Sequence, residues 1–459
     1  MNAAGSADLS IQVTALERLE ADRAAMGSYR PSYPFWQHVF NVPDGSIAFG
    51  SEETGRLLVT IPIKGDWKRD AIWEDPFLAG VLSDAELPKD LDRRRDEVAL
   101  RLQSLVGPVV HNPTRGLSLL PNARRYGGFL REWGTIYERF GVPAEIGLSQ
   151  AIVESGLSGT VRSRARAIGF CQWLQKNWAQ LKRLAPHGIE GYNQTTQVPY
   201  CAAYLTILAT KYGSFIPALS EHHAGGTNVG RTLINGERLG GDDVRESYFL
   251  GGEFARDLRS LAPRTFKDLY GTYGPRSALY AEMVFSNTAN VERLMSTVLQ
   301  ANVYAMRTPR ALTLTEIVRI TNLPSDEIRR FNPALTRQVP ARSDVYLPRY
   351  VSSIGPDVSF WHRPMPEDYA AVLNDFIRLD VSLAEWDSPT FDRVLIDFRD
   401  RFRATKTEEG AVMATTLAFV LQGQRTSRQG AILAEFRASE RILQLFDRGK
   451  SQRDAFLAE

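Results

Sequence analysis

Cysteine is nearly missing: the chain of 459 residues has two, Cys171 and Cys201. That excludes a disulfide-stapled scaffold, and their spacing fits no four-ligand zinc site. The pair leaves two readings open, one disulfide in an oxidising compartment or two buried thiols. Long apolar runs are lacking too. No stretch approaches the roughly eighteen residues of a membrane-spanning helix, so no membrane span is expected. Nor is there an excess of one charge. Lys and Arg number 55 against 53 Asp and Glu, a net charge of +2, which argues against a nucleic-acid partner. Met1 to Asp8 has neither a basic n-region nor an apolar h-region, so no signal peptide is expected there. That start fits a cytosolic chain, or one whose leader was exchanged for a start methionine. No phosphate-binding glycine loop, zinc signature or nucleophile elbow occurs, and none of the cofactors that such motifs hold is implied.

What is present suffices for globular cores: 43% hydrophobic and 24% charged residues. At roughly 100–200 residues per domain, the length allows three or four units. Residues 9–27 form an amphipathic pattern with Leu9, Ile11, Val13 and Leu16, and Tyr29 to Trp36 looks like an irregular anchor rich in Pro and aromatics. Asp44-Gly45 and Gly55 punctuate the runs Ser46–Phe49 and Leu57–Ile63, which is hairpin chemistry. A helix follows over 85–106. The aromatics Tyr33, Phe35, Trp36, Trp67 and Trp73 are expected in the core rather than at a ligand. From Tyr126 to Gln300 the pattern is helical, broken by Gly and Pro. Residues 301–350 change to strand, two short helices, strand, and 366–459 are helical again, with Tyr369, Val372, Leu373, Phe376 and Ile377 as one stripe. The expected fold class is mainly α, α+β overall. Its units are an N-terminal region with a small β element (1–120), a helical domain (121–300), a βααβ module (301–350) and a helical C-terminal region (351–459). Neither terminal region carries a chemical signal.

Chemistry concentrates at Ile146-Gly-Leu-Ser-Gln-Ala-Ile-Val-Glu-Ser-Gly-Leu. Pro143 suits a first helical turn and Gly156 a stop. The apolar helix between them delivers one carboxylate, Glu154, in its last turn. Apolar neighbours and the negative end of the helix dipole both disfavour its charge, as a general acid near neutral pH requires. Taken alone, the residue more often means a solvated glutamate near a helix end. From Gly156 to Ile189, however, there is no Asp or Glu, and the stretch carries Arg162, Arg164, Arg166, Lys176, Lys182 and Arg183. Glycosidases commonly use a carboxylate pair. A lone acid suits a substrate that supplies its own nucleophile, unless a distant carboxylate such as Asp242 or Asp243 folds back. The bases would favour an anionic substrate or simply form a solvated face. Ala167-Ile-Gly-Phe-Cys-Gln-Trp then sets Gly169, Gln172 and Trp173 together, an amide beside an aromatic face suited to a sugar ring.

Glu154-Ser155 followed by Gly169-Phe-Cys-Gln172 and by His222-His223-Ala224-Gly225 resembles the soluble lytic transglycosylase (SLT) family. That family's pattern is Glu-Ser, a Gly-Leu-Met-Gln block, an Ala-Tyr-Asn-Ala-Gly block and a late Tyr-Val. Here the middle of the second block differs, and His222 and His223 stand where Tyr and Asn would be. Tyr280, before a closing helix, matches the late tyrosine, with Tyr248 as runner-up, and residues 226–275 look like an insertion. The resemblance implies a lysozyme-like helical domain with Glu154 catalytic. Ser155, Gly169, Gln172, His222, His223 and Tyr280 would bind substrate, and no metal would be involved: neighbouring histidines diverge on a helix, whereas zinc helices pair i with i+4. The implied reaction is cleavage of the β-1,4 bond from N-acetylmuramic acid to N-acetylglucosamine in peptidoglycan, with a 1,6-anhydro product and no cofactor. Peptidoglycan strands would be the partner and the periplasm or another extracytoplasmic space the location. Alternatives are a lysozyme-type muramidase and an inactive wall-binding scaffold. Downstream, Tyr304-Ala-Met-Arg, Leu312–Pro324, Asn332-Pro333 with Leu335, and Leu347-Pro348 resemble a LysM module, which implies N-acetylglucosamine binding. Pro309-Arg-Ala-Leu-Thr replaces that module's usual Gly-Asp-Thr.

Overall fold

A computed structural model describes residues 3–184, 192–271, 273–355, 364–379 and 389–426. Helix accounts for 62% and strand for 9%, so the chain is mainly α, α+β overall, with small sheets attached to a helical body. The first helix, α1 (Ala3–Tyr29), is longer than the 9–27 stretch its pattern suggests. Ile11, Ala15, Leu19 and Met26 recur at helical spacing and are buried. The expected anchor at 29–36 shrinks to a turn, because α2 (Phe35–Asn41) starts inside it. Phe35, Trp36 and Trp67 are buried, while Tyr33 and Trp73 are half-buried.

The hairpin signals give β1 (Ser46–Ser51) and β2 (Leu57–Pro62), paired antiparallel with Phe49 opposite Val59. Strand β3 (Ile72–Trp73), helix α3 (Leu91–Val106) and strand β4 (Val109–Pro113) complete a sheet in the order β3-β2-β1-β4. Its apolar face (Ile47, Phe49, Val59, Ile61) packs on Val98 and Leu102 of α3. Alternation along the strands puts these side chains on one face.

The helical body follows: α4 (Gly116–Tyr126), α5 (Leu130–Arg139) and α6 (Ala144–Ser155). A two-residue hairpin, β5 (Ala167–Ile168) and β6 (Trp173–Leu174), leads into α7 (Gln175–Leu184), α8 (Gln194–Tyr212) and α9 (Phe215–Ala224). The stretch that looks inserted forms α10 (Gly226–Arg238), α11 (Val244–Leu261) and α12 (Pro263–Tyr270), with Phe254, Leu258, Tyr270 and Tyr273 as its own apolar cluster. Then come α13 (Pro275–Ala278) and α14 (Tyr280–Thr297).

Residues 304–347 contain β7 (Tyr304–Arg307), β8 (Leu312–Thr313), α15 (Leu314–Thr321), α16 (Ser325–Phe331), β9 (Gln338–Val339) and β10 (Asp344–Leu347). The outer strands pair antiparallel, Tyr304 opposite Leu347. The short β8–β9 pairing inside them is an addition to the expected βααβ order. Thr313 and Glu316 make a reciprocal capping box at the start of α15. Asn332 staples the unit: its amide donates to the Ile328 and Tyr346 carbonyls, and its oxygen accepts from the Tyr346 N–H.

The last elements are α17 (Glu367–Ile377), α18 (Pro389–Ala404) and α19 (Glu408–Thr426). Residues 356–363 and 380–388, and 427–459 of the expected C-terminal helical stretch, lie outside the described residues. Helix α17 packs on α1, and α19 packs on α7, α8 and α18. One apolar cluster therefore runs from Ile11 in α1 through Trp133, Ile152 and Leu208 to Leu417 in α19. Among the described residues no helix is long and apolar enough to cross a membrane.

Candidate active site

Glu154 owes its position to how α6 ends. Gly156 adopts φ +57°, its N–H reaches the Ile152 carbonyl, and the Leu157 N–H reaches that of Ala151. This left-handed close favours a residue without a Cβ. The space demands glycine as well, since a Cβ there would lie 2.1 Å from the Ser118 carbonyl oxygen of α4. Along its length α6 packs on α14. The first residue of α14 is Tyr280, whose hydroxyl donates to Glu154 Oε1 at 2.6 Å.

His222, in the last turn of α9, has its Nε2 3.5 Å from the same Oε1 and 2.8 Å from the Cys171 carbonyl oxygen. A carbonyl only accepts, so Nε2 carries the hydrogen and Nδ1 of the neutral ring is bare. Burial pushes the His222 imidazole down to about 4, against a weaker opposing effect of the Cys171 carbonyl. Burial likewise pushes the Glu154 carboxyl up to about 7, outweighing the Tyr280 hydrogen bond that favours the ionised form. Both contacts are to Oε1. Oε2 is left to carry the acidic proton. The side chain is 12% exposed, and it opens on a cavity of about 450 Å³.

The turn opposite Glu154 is held from several directions. Gly169 has φ +76° and a Cβ on it would strike the Gln197 amide. Gln197 of α8 accepts from the Phe170 N–H at 2.6 Å and donates to the Gly159 carbonyl. A disulfide joins Cys171 to Cys201 of α8, which decides between the two cysteine readings. Ser155 is buried, its hydroxyl 3.0 Å from both the Ala151 and Phe170 carbonyl oxygens. It ties α6 to this turn and is not part of the cavity lining. Gln172 does line the cavity, but its amide nitrogen bonds the Val161 and Gly169 carbonyls.

His223 also lines the cavity. Its ring stacks on Tyr280 with centroids 4.6 Å apart, and its Nδ1 lies 3.1 Å from the Ser277 hydroxyl. The two histidines thus diverge, as neighbours on a helix do. Tyr248, the alternative late tyrosine, is buried and bonded to the Ser220 hydroxyl, away from Glu154. Asp242 and Asp243 do not fold back to the site. Asp243 caps the start of α11, and Asp242 sits beside it with its N–H on Glu246. Among the described residues Glu154 is the one carboxylate in the lining. Glu221, three residues before Ala224, is engaged instead by Lys211 and Tyr212. In the basic segment Ser163, Ala165 and Ala167 line the cavity, while Arg162, Arg164 and Arg166 are exposed and outside that lining.

Trp173, the aromatic beside the Gln172 amide, offers little open surface. It lines the cavity but is 4% exposed. It is hemmed in by Trp178, Tyr204 and Phe419, with centroids at 5.0, 5.1 and 5.6 Å. Tyr204 and Phe419 are lining residues that sequence reasoning does not single out. Each sits in an apolar helical run, where the signal is that of core.

Chemically, the arrangement is a carboxyl that keeps its proton up to about pH 7, with a phenol donor on one oxygen and a neutral imidazole alongside. Such a group can protonate a leaving oxygen and later accept a proton. Among the described residues no group of three or more His, Cys, Asp or Glu could hold a metal ion. No protein-family model matches the sequence, and no curated protein matches it.

Proposed function

We propose that the chain is a peptidoglycan lytic transglycosylase of the lysozyme-like SLT type. It would cleave the β-1,4 bond between N-acetylmuramic acid and N-acetylglucosamine and form the 1,6-anhydro sugar. One observation carries the reading: Glu154 lines its cavity as a carboxyl held near pKa 7, the one carboxylate of that lining among the described residues. Oε2–H protonates the glycosidic oxygen as the bond to the anomeric carbon breaks. The resulting carboxylate then takes the proton of the muramoyl C6 hydroxyl, whose oxygen closes on that carbon. One residue serves as acid and then base, and Tyr280 steadies Oε1 in both states. A hydrolase would need a group to activate water on the opposite face, commonly a second carboxylate 6.5–9.5 Å away, roughly, in inverting enzymes.

The strand–helix–helix–strand unit at 304–347 supports the same polymer through its LysM resemblance, as a second glycan contact. The Cys171–Cys201 disulfide supports a periplasmic or otherwise extracytoplasmic location. The test is digestion of purified peptidoglycan by wild type and Glu154→Gln side by side, followed by mass spectrometry. Wild type should release anhydro-muropeptides, and the variant should still sediment with sacculi but release nothing. Products with reducing ends would instead make the chain a hydrolase. Undiminished release by Glu154→Gln would remove Glu154 from the chemistry.

A further inference from the structure

The catalytic cavity has a wall that does not come from the helices carrying Glu154, Tyr280 and His222. Phe419, in the fourth turn of α19, lines it. Its ring lies nearly parallel to Trp173, 20° between planes, and edge-on to Tyr204 at 6.2 Å. Of the stacked pair, Trp173 is buried and Phe419 is half-buried. Phe419 is therefore the ring with surface left to offer. Beside it, the Trp173 Nε1–H is buried with no hydrogen-bond partner. A buried indole N–H usually has an acceptor, and this one is unmatched within the aromatic cluster that backs Phe419.

Helix α19 is seated firmly enough to present such a surface. Glu409 makes a buried ion pair with Arg139 of α5, and Gln422 accepts a hydrogen bond from Gln180 of α7. A concave site with an apolar wall and a few placed polar groups is the usual form of a small-ligand pocket. Here the wall is aromatic and the polar members are donors and amides, which suits a pyranose ring: its C–H face lies on the phenyl ring and its edge oxygens take the hydrogen bonds.

We propose that Phe419 is a substrate-binding residue, the platform on which one N-acetylated sugar ring of the glycan stacks when it occupies the cavity. The C-terminal region then completes the saccharide site. This rests on the glycan-cleaving reading above, and the experiment separates the two. Phe419→Leu keeps an apolar side chain of similar bulk but removes the ring, and Phe419→Tyr keeps the ring. Each is made in the active chain and in the Glu154→Gln background.

In the active chain, Phe419→Leu should raise KM for soluble glycan strands about tenfold with kcat within about threefold, and Phe419→Tyr should restore KM. In the Glu154→Gln background, calorimetry with the N-acetylglucosamine tetramer should show about tenfold weaker binding for Phe419→Leu alone in the component that is not shared with a chain fragment spanning 304–347. A plain wall-filling role predicts wild-type behaviour for Phe419→Leu in both assays, and that result overturns the proposal. If wild type releases no anhydro product yet binds the tetramer through Phe419, the reaction assignment falls and the platform stands. If no tetramer binds at all, the platform falls as well.

Discussion

Glu154 and Tyr280 form a pair in which two physical effects oppose. Burial favours the neutral acid, and the phenol hydrogen bond favours the carboxylate; burial prevails, leaving the group near 7. The proposed first step needs the protonated form. Its population falls as pH rises through about 7, so kcat/KM should decline on the alkaline side with an apparent pKa near that value. Tyr280→Phe removes the interaction that stabilises the ionised form. The group then holds its proton to higher pH, and the alkaline limb of the pH–rate profile should move upward. The second step, in which the carboxylate accepts a proton, loses the donor that steadies Oε1, so kcat should drop by about 10- to 100-fold. An acid shift of the limb would show that Tyr280 does not act on Glu154 in this way.

Helix α6 and its glycine stop were legible because the signals are local: an apolar run, one acid in the last turn and Gly156 just beyond. The β1–β2 hairpin, with Asp44-Gly45 before it and Gly55 in its turn, was legible for the same reason, as was the alternation of strand and helix at 304–347. The turn facing Glu154 was legible only as a composition. That Ser155 ties two backbones together, or that Gln172 adopts φ +49° and turns its amide to carbonyls, depends on the path the backbone takes through the turn, which residue types do not specify. The disulfide is part of the same turn. It closes a loop with a sequence separation of 30. Replacing both cysteines by Ala should lower stability by about 3–4 kcal/mol from lost loop-closure restraint, read by urea unfolding. The Cys171 carbonyl anchors His222, so the double variant should also lose activity beyond its loss of stability. Full activity at a temperature well below the lowered midpoint would mean the Gln197 and Ser155 bonds alone keep the turn in place.

Across the whole molecule, the regions that carried no chemical signal turn out to brace the site. Helix α1 and helix α17 pack on each other, and α19 supplies Phe419 to the cavity. Periodicity could reveal that α19 has an apolar face, but not that the face borders the cavity Glu154 lines, because the two lie far apart in the sequence. The Arg139–Glu409 pair, 9% and 4% exposed, fastens α19 to α5. Glu409→Ala removes one partner of a buried pair, a change that typically costs about 3–5 kcal/mol. The expected outcome is a lower denaturant midpoint together with a raised KM, as the wall loses its footing. A lowered midpoint with KM unchanged would show that Phe419 keeps its seat without the ion pair.

The borrowed wall also sets an order of assembly. A ribosome makes residues 144–155 and 280 well before it reaches 419. A nascent chain can hold its acid and its phenol while one side of the cleft is still missing. The cleft becomes whole only once α19 has emerged and docked, so a product truncated before that helix has the reactive group without the surface that would seat its substrate.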